Sequence, residues 1–489
     1  MSAPAQPTPA PLDHAAIRAI MAGILLAMFL SALEQTIVAP ALPTMGRHFA
    51  DVENLSWVVT AYLLAAVAAT PLFGKLADIH GRRRMMLIAI VIFLAGSVAC
   101  ALAPTIWALI GARALQGIGG GGILPLAHTV IGDMVSPRER PRYTAYTSAM
   151  FLVASVSGPL LGGVLTDYVH WTMIFWINLP LGLVALVLTD RVLRKLPRHD
   201  RPHRLDFPGA ALMVAAALSL MLAMTWGGTR YGWSSWPILS LLAGSAVLWF
   251  FFLLRVATAP EPFIPLAILR EPVVGATAVA GFFAVGVIIG LSIVLPLYFE
   301  LALGFTPSGS GTALIVFLIA ATLGSFIAGR LMSRMTHYKR VPVVGMAVGI
   351  VTMALFAWQP TGLTLLEVSV LLTVGGTGLG VMYPVTTVMV QNAVAPHQLG
   401  IATGALNFAR QLGGAMIVAA FGTILLGGLD SSGGGLTLEM LAQGTKESGA
   451  KHGGADFAGQ FRLLYAASAV FLAAGFVAVL LTEERPLRG

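Results

Sequence analysis

Charge is what this chain has least of: Asp, Glu, Lys and Arg together make up 10% of its 489 residues, against about 25% in ordinary soluble domains. A surface that poor in charge excludes a soluble globular protein of this size. Cysteine is nearly absent too. The single Cys100 excludes an intramolecular disulfide and any cysteine-based metal cluster, and its place in an apolar run reads as a small core residue. There is no Gly-Lys-Ser/Thr phosphate-binding loop, so nothing points to a nucleotide-driven motor. The low hydrophobicity that marks disorder is also missing. Hydrophobic residues account for 57% of the chain and the mean hydropathy is +0.85. They fall in long runs, such as Ile17 to Leu33 and Met85 to Ala103, each long enough to cross a hydrocarbon core at about 1.5 Å per residue. The net charge of +8 by itself suits nucleic acid, but in a chain this apolar it reflects Lys and Arg flanking membrane spans. The chain reads as an all-α polytopic membrane protein.

Residues 1–16, rich in Ala and Pro, read as a disordered cytoplasmic tail and not as a cleavable signal peptide. Fourteen apolar spans follow, at 17–42, 56–73, 85–103, 106–131, 144–166, 172–190, 207–226, 237–256, 273–297, 309–331, 343–358, 365–390, 401–426 and 460–482. With the N-terminus inside, the cytoplasmic segments carry 19 Lys or Arg and the external ones four, Arg47, Arg230, Lys446 and Lys451. That bias supports cytoplasmic termini and the span count itself. Gly74-Lys75-Leu76 recurs as Gly329-Arg330-Leu331, Pro125 as Pro384, and Val135-Ser136-Pro137 as Val394-Ala395-Pro396, at offsets of 255 to 259 residues. Three markers in order suggest two parallel six-helix halves. The expected organisation is a bundle at 17–190, a linker with two inserted transmembrane helices at 191–272, and a second bundle at 273–482. The second bundle would carry an external loop at 427–459, with a short amphipathic helix from Thr437 to Gln443, and 483–489 would form a cytoplasmic tail.

Glu34 in span 1 and Arg113 in span 4 stand at similar depth. A charge inside a membrane helix costs about 2.5–3.5 kcal/mol on insertion scales and marks a functional candidate. Paired, the two either lock helices together or form a carboxylate whose proton affinity switches as water access and the Arg contact change. His128, in the same span as Arg113, suits a proton relay or a packing role. Gly74-Lys75-Leu76-Ala77-Asp78-Ile79-His80-Gly81-Arg82-Arg83-Arg84 joins spans 2 and 3. Gly81 suits a tight turn, and Asp78 is placed to bond helix-end amides or arginines, holding the halves together on the cytoplasmic face. A plain basic loop explains the arginines but not the Gly, Asp and Gly. In span 5, Ala154, Gly158, Gly162 and Thr166 form a small-residue face, with Gly163 beside it and Pro159 set to bend the helix. Close packing of this face against the other half is expected. Arg410, buried in span 13, is a candidate partner for Asn407, Gln411 or a substrate anion. Trp57, Tyr62, Phe151, Phe282, Phe283, Tyr383, Asn407 and Phe408 are candidates for contact with an apolar substrate. Glu300, near the outer end of span 9, either attracts cations or is a solvated helix-end acid.

Over nearly all of residues 17–482 the chain resembles the major facilitator superfamily, and within it the fourteen-span drug:proton antiporters. The Asp78 segment is similar to the signature between helices 2 and 3, and Arg113-Ala114-Leu115-Gln116-Gly117-Ile118-Gly119 to the helix 4 motif whose Arg is associated with proton coupling. Gly158-Pro159 with Gly162-Gly163 resembles the helix 5 antiport motif. Leu33-Glu34-Gln35-Thr36-Ile37-Val38 with Ala41-Leu42-Pro43, Phe175 to Gly182, and Asn407 to Gly414 resemble the fourteen-span group. Glu34 stands where that group usually has Asp, Ala154 where it has Gly, Thr172 where Arg is common and Glu300 where Gln is common. The resemblance implies a major facilitator fold of two six-helix bundles plus two inserted helices, and a carrier that is not an enzyme and needs no cofactor or metal. It implies proton coupling by Glu34, Arg113 and His128, and gating by Gly74, Asp78, Gly81, Arg82, Arg83, Gly158, Pro159, Gly162 and Gly163. Substrate contact is expected from the aromatic set with Asn407, Glu300 and Arg410. The expected activity is export of hydrophobic, cationic drugs or toxic compounds in exchange for protons by alternating access. Export or flipping of an endogenous lipid, siderophore or amphiphile is the alternative, and a transport-dead sensor or scaffold a remoter one. The expected partners are small amphiphilic substrates, protons and the bilayer, with no nucleic acid. A monomer in a bacterial cell membrane is the expected setting.

Overall fold

Inside a bilayer every backbone N–H and C=O must be satisfied within the protein, and a helix does this locally. The computed structural model describes residues 14–51, 54–136, 138–194, 206–228, 230–265, 268, 270–303, 307–335, 338–430 and 454–485. Most of the expected N-terminal tail, the segment holding Thr437 to Gln443 and the end of the C-terminal tail lie outside the described residues. Among the described residues the structure is helical apart from one isolated bridge, Gly227 to Tyr231. The helices are α1 (His14–Ile37), α2 (Leu42–Phe49), α3 (Leu55–His80), α4 (Arg82–Ala101), α5 (Ile106–Met134), α6 (Arg140–Tyr168), α7 (Met173–Trp176), α8 (Asn178–Leu193) and α9 (Phe207–Trp226). They continue as α10 (Trp236–Thr258), α11 (Pro272–Leu301), α12 (Pro307–Arg334), α13 (Arg340–Trp358), α14 (Leu365–Gly380), α15 (Met382–Ala393), α16 (Leu399–Asp430) and α17 (Gly454–Leu481). They make 14 spans long and apolar enough to cross a membrane, so this is a multi-pass membrane protein.

Several expected spans end elsewhere. Span 1 passes through a short 3-10 turn, Ala39–Ala41, into α2, because Pro40 and Pro43 cannot donate within a continuous ladder. The segment between spans 2 and 3 is not a loop: α3 runs to His80, α4 starts at Arg82, and Gly81 alone joins them. Gly81 has φ 86° and ψ 144°, a backbone region that only glycine enters without strain. Span 6 breaks at Ile177 into α7 and α8. Span 12 breaks at Val381, three residues before Pro384.

The chain divides into two compact units, one of Met1–Ser136, Val153–Arg204 and Pro396–Ile401, the other of Pro137–Leu152, Leu205–Ala395 and Ala402–Gly489. In the first, α3 and α4 pack on α5, and α1 packs on α5 and α8. The glycine-rich stretch of α5 sets how closely they approach. A Cβ at Gly117 would collide with the Tyr62 carbonyl oxygen, and one at Gly121 with that of Ala66, so any side chain there would push α3 away. In the second, α11 packs on α15 and α17, α12 on α14, and α9 on α10. Its core is rich in aromatic residues, including Tyr298, Phe299, Phe317, Phe356, Phe421, Phe461 and Tyr465.

Candidate functional site

The close approach of α3 to α5 sets the surroundings of Arg113. Thr105 caps α5 by accepting from the Ala108 amide at 3.2 Å, and Arg113 follows two turns later with 1% of its surface exposed. Its Nε donates to the Val58 carbonyl of α3 at 2.9 Å. Its guanidinium carbon lies 4.5 Å from the centroid of the Tyr62 ring and 5.9 Å from that of Phe175, favourable cation–π distances. Nη1 donates to the Glu34 carboxylate of α1 in a close ion pair and to Gln116 Oε1 at 2.6 Å. The other Glu34 oxygen accepts from Asn178 Nδ2 at 2.6 Å. Asn178 Nδ2 also donates to Ser97 Oγ at 2.8 Å, and Gln116 Nε2 donates to the same oxygen at 2.7 Å.

These contacts close a ring: Glu34, Arg113, Gln116, Ser97, Asn178 and back to Glu34. Four helices contribute, α1, α4, α5 and α8, and every member is buried. Gln116 belongs to it because residues three apart share a helix face. Asn178 belongs to it from the first position of α8. Glu34 and Arg113, placed at one depth by the sequence, do meet. Ser97, Gln116 and Asn178 had no assigned role. Gln116 and Asn178 stand inside family-like motifs, and for Ser97 no sequence signal separates it from any other small polar residue in a span. Tyr62 does not face open space as a substrate aromatic would: it lies under Arg113, and its hydroxyl donates to the Ser31 carbonyl at 3.3 Å. His128 is not in the ring. It is fifteen residues from Arg113 along α5, roughly 22 Å, and its Nδ1 is bonded to the Leu124 carbonyl oxygen at 2.9 Å.

A second buried arginine has different company. Arg410 of α16 is 2% exposed. Its Nη2 donates to the Tyr383 carbonyl at 2.7 Å, Thr386 Oγ1 at 2.5 Å and Thr387 Oγ1 at 2.9 Å, all in α15, and its Nη1 to Asn407 Oδ1 at 3.1 Å. The guanidinium carbon stands 4.1 Å from the Tyr383 ring centroid. The structure thus brings together the candidates Tyr383, Asn407 and Arg410. Phe151 joins them through the Tyr383 ring at 6.3 Å.

At the α3–α4 joint, Asp78 is buried and accepts from two amides in the first turn of α16, Gly400 at 3.1 Å and Ile401 at 2.8 Å. A carboxylate there satisfies otherwise orphaned amides and complements the positive end of the helix. A Cβ at Gly400 would come 2.5 Å from Asp78 Oδ1 and 2.5 Å from the Gly74 carbonyl, so this junction needs glycine. Arg82 bridges Asp78 at 2.8 Å and Asp133 at 2.8 Å, and donates to the Ala77 carbonyl at 2.8 Å. Arg83 points elsewhere, to Asp190 of α8 at 2.5 Å.

The small-residue face of α6 packs within its own unit, a correction to the expectation that it meets the other half. Thr36 Oγ1 of α1 donates to the Ala154 carbonyl at 3.2 Å. A Cβ at Gly158 or Gly162 would collide with Thr36 or with the Ile37 carbonyl. Gly163 has open space around it, and Pro159 is exposed. Trp57 is half-buried at the start of α3. Phe282 and Phe283 meet edge to face at 5.1 Å, with Phe283 stacked on Phe471 at 6.0 Å. Phe408 sits 6.3 Å from Trp249 of α10. The side chain of Glu300 lies outside the described residues. Glu34, the other acid assigned to cargo or protons, is engaged by Arg113.

A profile described as Major Facilitator Superfamily matches residues 24–211 and again 207–418. The chain is 34% identical over 442 residues to an uncharacterized MFS-type transporter of Mycobacterium tuberculosis, covering 88% of this chain and 64% of that protein. It therefore spans slightly under two thirds of that relative's length. It is 31% identical to the multidrug transporter protein MdtP of Bacillus subtilis, covering 83% of this chain and 75% of that one. Among solved structures, the human organic anion transporter MFSD10 superposes with a TM-score of 0.63 at 16% identity, covering 93% of this chain and 99% of that one. That likeness speaks to the fold alone.

Proposed function

The chain belongs to the Major Facilitator Superfamily, and on that footing we propose that it is a proton-coupled exporter of hydrophobic compounds working by alternating access. The observation that carries this reading is the sealed ring around Glu34: one titratable acid, wholly buried in a span, paired to a cation that has other acceptors waiting. When Glu34 takes a proton its attraction for Arg113 falls. The guanidinium is not stranded, because the Val58 carbonyl, Gln116 Oε1 and the Tyr62 ring still hold it. Neutral Glu34 keeps an acceptor for Asn178 and gains an O–H to donate. Either charge state therefore leaves the ring satisfied, and the switch between them loosens or tightens α1 against α5. That is a workable link between proton entry and rearrangement of the bundle.

The names of the Bacillus relatives favour drugs and other toxic compounds as cargo. The distribution of basic residues favours a cell membrane with both termini inside. Gly81 and the Asp78–Arg82 cluster then lie on the cytoplasmic face, where a one-residue joint and a charge-capped helix end are suited to gating.

The test is reconstitution in proteoliposomes with an imposed pH gradient and a panel of fluorescent drugs and lipids. Drug-dependent proton movement supports the reading. Headgroup-specific lipid movement with no response to any drug would replace it with a lipid flippase.

A further inference from the structure

Arginines enclosed by this protein differ in what balances their charge. Arg113 has Glu34, and Arg82 has Asp78 and Asp133. Arg410 has no carboxylate partner among the described residues; its four acceptors are all neutral. A cation held in a membrane span without a counter-ion is costly and is kept for a reason. Two donors at this site are unused. Arg410 Nε and Asn407 Nδ2 are buried and make no hydrogen bond, and neither does the buried hydroxyl of Thr277 on α11.

Gly281 lies one turn from Thr277 on the same face of α11. A methyl group built on it would meet Leu406 Cδ1 at 3.3 Å, Arg410 Cγ at 3.5 Å and Arg410 Nε at 3.6 Å. The missing side chain of Gly281 thus faces the one guanidinium nitrogen of Arg410 without an acceptor. We propose that the Arg410 cluster is the binding site for the anionic group, a carboxylate, of an amphiphilic cargo molecule. The carboxylate accepts a charge-assisted bond from Nε and a second bond from Asn407 Nδ2. Thr386, Thr387 and the Asn407 carbonyl hold the two Nη groups and leave Nε to the cargo. Leu406 and the Tyr383 ring, beside the guanidinium, offer apolar surface to the rest of the molecule. The cargo charge is then negative, opposite to what the sequence resemblance implies.

This deepens the exporter reading and rests on it for the word cargo, so binding is measured apart from transport. The probes are a dansylated undecanoic acid and its methyl ester, titrated by fluorescence against the full-length protein in detergent at neutral pH. The acid is expected to bind about tenfold tighter than the ester, the low end for one charge-assisted hydrogen bond. Arg410→Gln is expected to abolish that preference. Gly281→Ala, which sets a methyl group about 3.6 Å from Nε and leaves the arginine in place, is expected to do the same. Equal affinity of acid and ester in the wild type overturns the proposal. If Arg410→Gln does not fold, Gly281→Ala decides, and an unchanged preference in that variant overturns the proposal. Preference for the acid without proton-driven export would leave this site standing and remove the exporter reading; export without preference would do the reverse.

Discussion

Replacing Glu34 by glutamine tests the ring most directly. The substitution keeps the shape and one acceptor oxygen, but puts an amide nitrogen where Oε2 now accepts from Asn178 at 2.6 Å. Two donors would face each other. The ring has a way out: Asn178 Oδ1 carries no hydrogen bond, so turning that amide over presents an oxygen to the introduced amide nitrogen, and the Ser97 hydroxyl can donate to the same oxygen. The turn takes the Asn178 N–H groups away from both of their acceptors, so the substitution costs hydrogen bonding as well as charge. Arg113 without its counter-ion is expected to cost about 3–5 kcal/mol of stability. The functional consequence is larger. With the membrane potential clamped, one pH unit is worth about 1.36 kcal/mol per proton, so exchange of one proton per cargo molecule sustains about a tenfold cargo gradient. In proteoliposomes under those conditions, the wild type is expected to hold that gradient and Glu34→Gln to equilibrate cargo. Glu34→Asp, which keeps the acid, should retain the gradient. A Glu34→Gln protein that still builds a tenfold gradient would refute the assignment of proton coupling to this ring.

Ser97→Ala leaves Gln116 Nε2 and Asn178 Nδ2 without their shared acceptor and is expected to lower stability by about 1–3 kcal/mol, read as thermal unfolding in detergent; an unshifted midpoint would deny the ring its structural role. Gly81→Val forces a branched side chain onto a φ of 86° at a cost of about 1–3 kcal/mol, and the same unfolding measurement should show it. Gly400→Ala drives a methyl group into Asp78, so export is expected to fall while the protein still inserts, and wild-type export rates would mean that the capped end of α16 plays no part in the cycle.

The spans and the Glu34–Arg113 pair were legible in the sequence for one physical reason. Charge inside an apolar run is rare and expensive, so each instance stands out, and opposite signs at equal depth suggest partnership. Asn178 and Ser97 were not legible, because a neutral amide or hydroxyl costs little in a span and many occur without purpose. The start of α8 at Asn178 was hidden as well, since residues 172–190 read as one unbroken apolar run. The single-residue joint at Gly81 was hidden for the converse reason. Lysine, aspartate, histidine and arginines look like a loop, yet α3 carries that polar stretch onward as helix through His80. The direction faced by Gly158 and Gly162 was equally out of reach, since a small-residue stripe announces a close neighbour but not which one.

The Asp78 cap has a consequence for synthesis. Its carboxylate and the α16 amides it serves are 322 and 323 positions apart. At about 5–20 residues per second, a ribosome takes roughly 16 to 64 s between making one and the other. Throughout that interval the α3–α4 corner has Arg82 to hold its acid but no helix end to receive it. The nascent chain thus carries an incomplete corner near its beginning that only a late segment can finish.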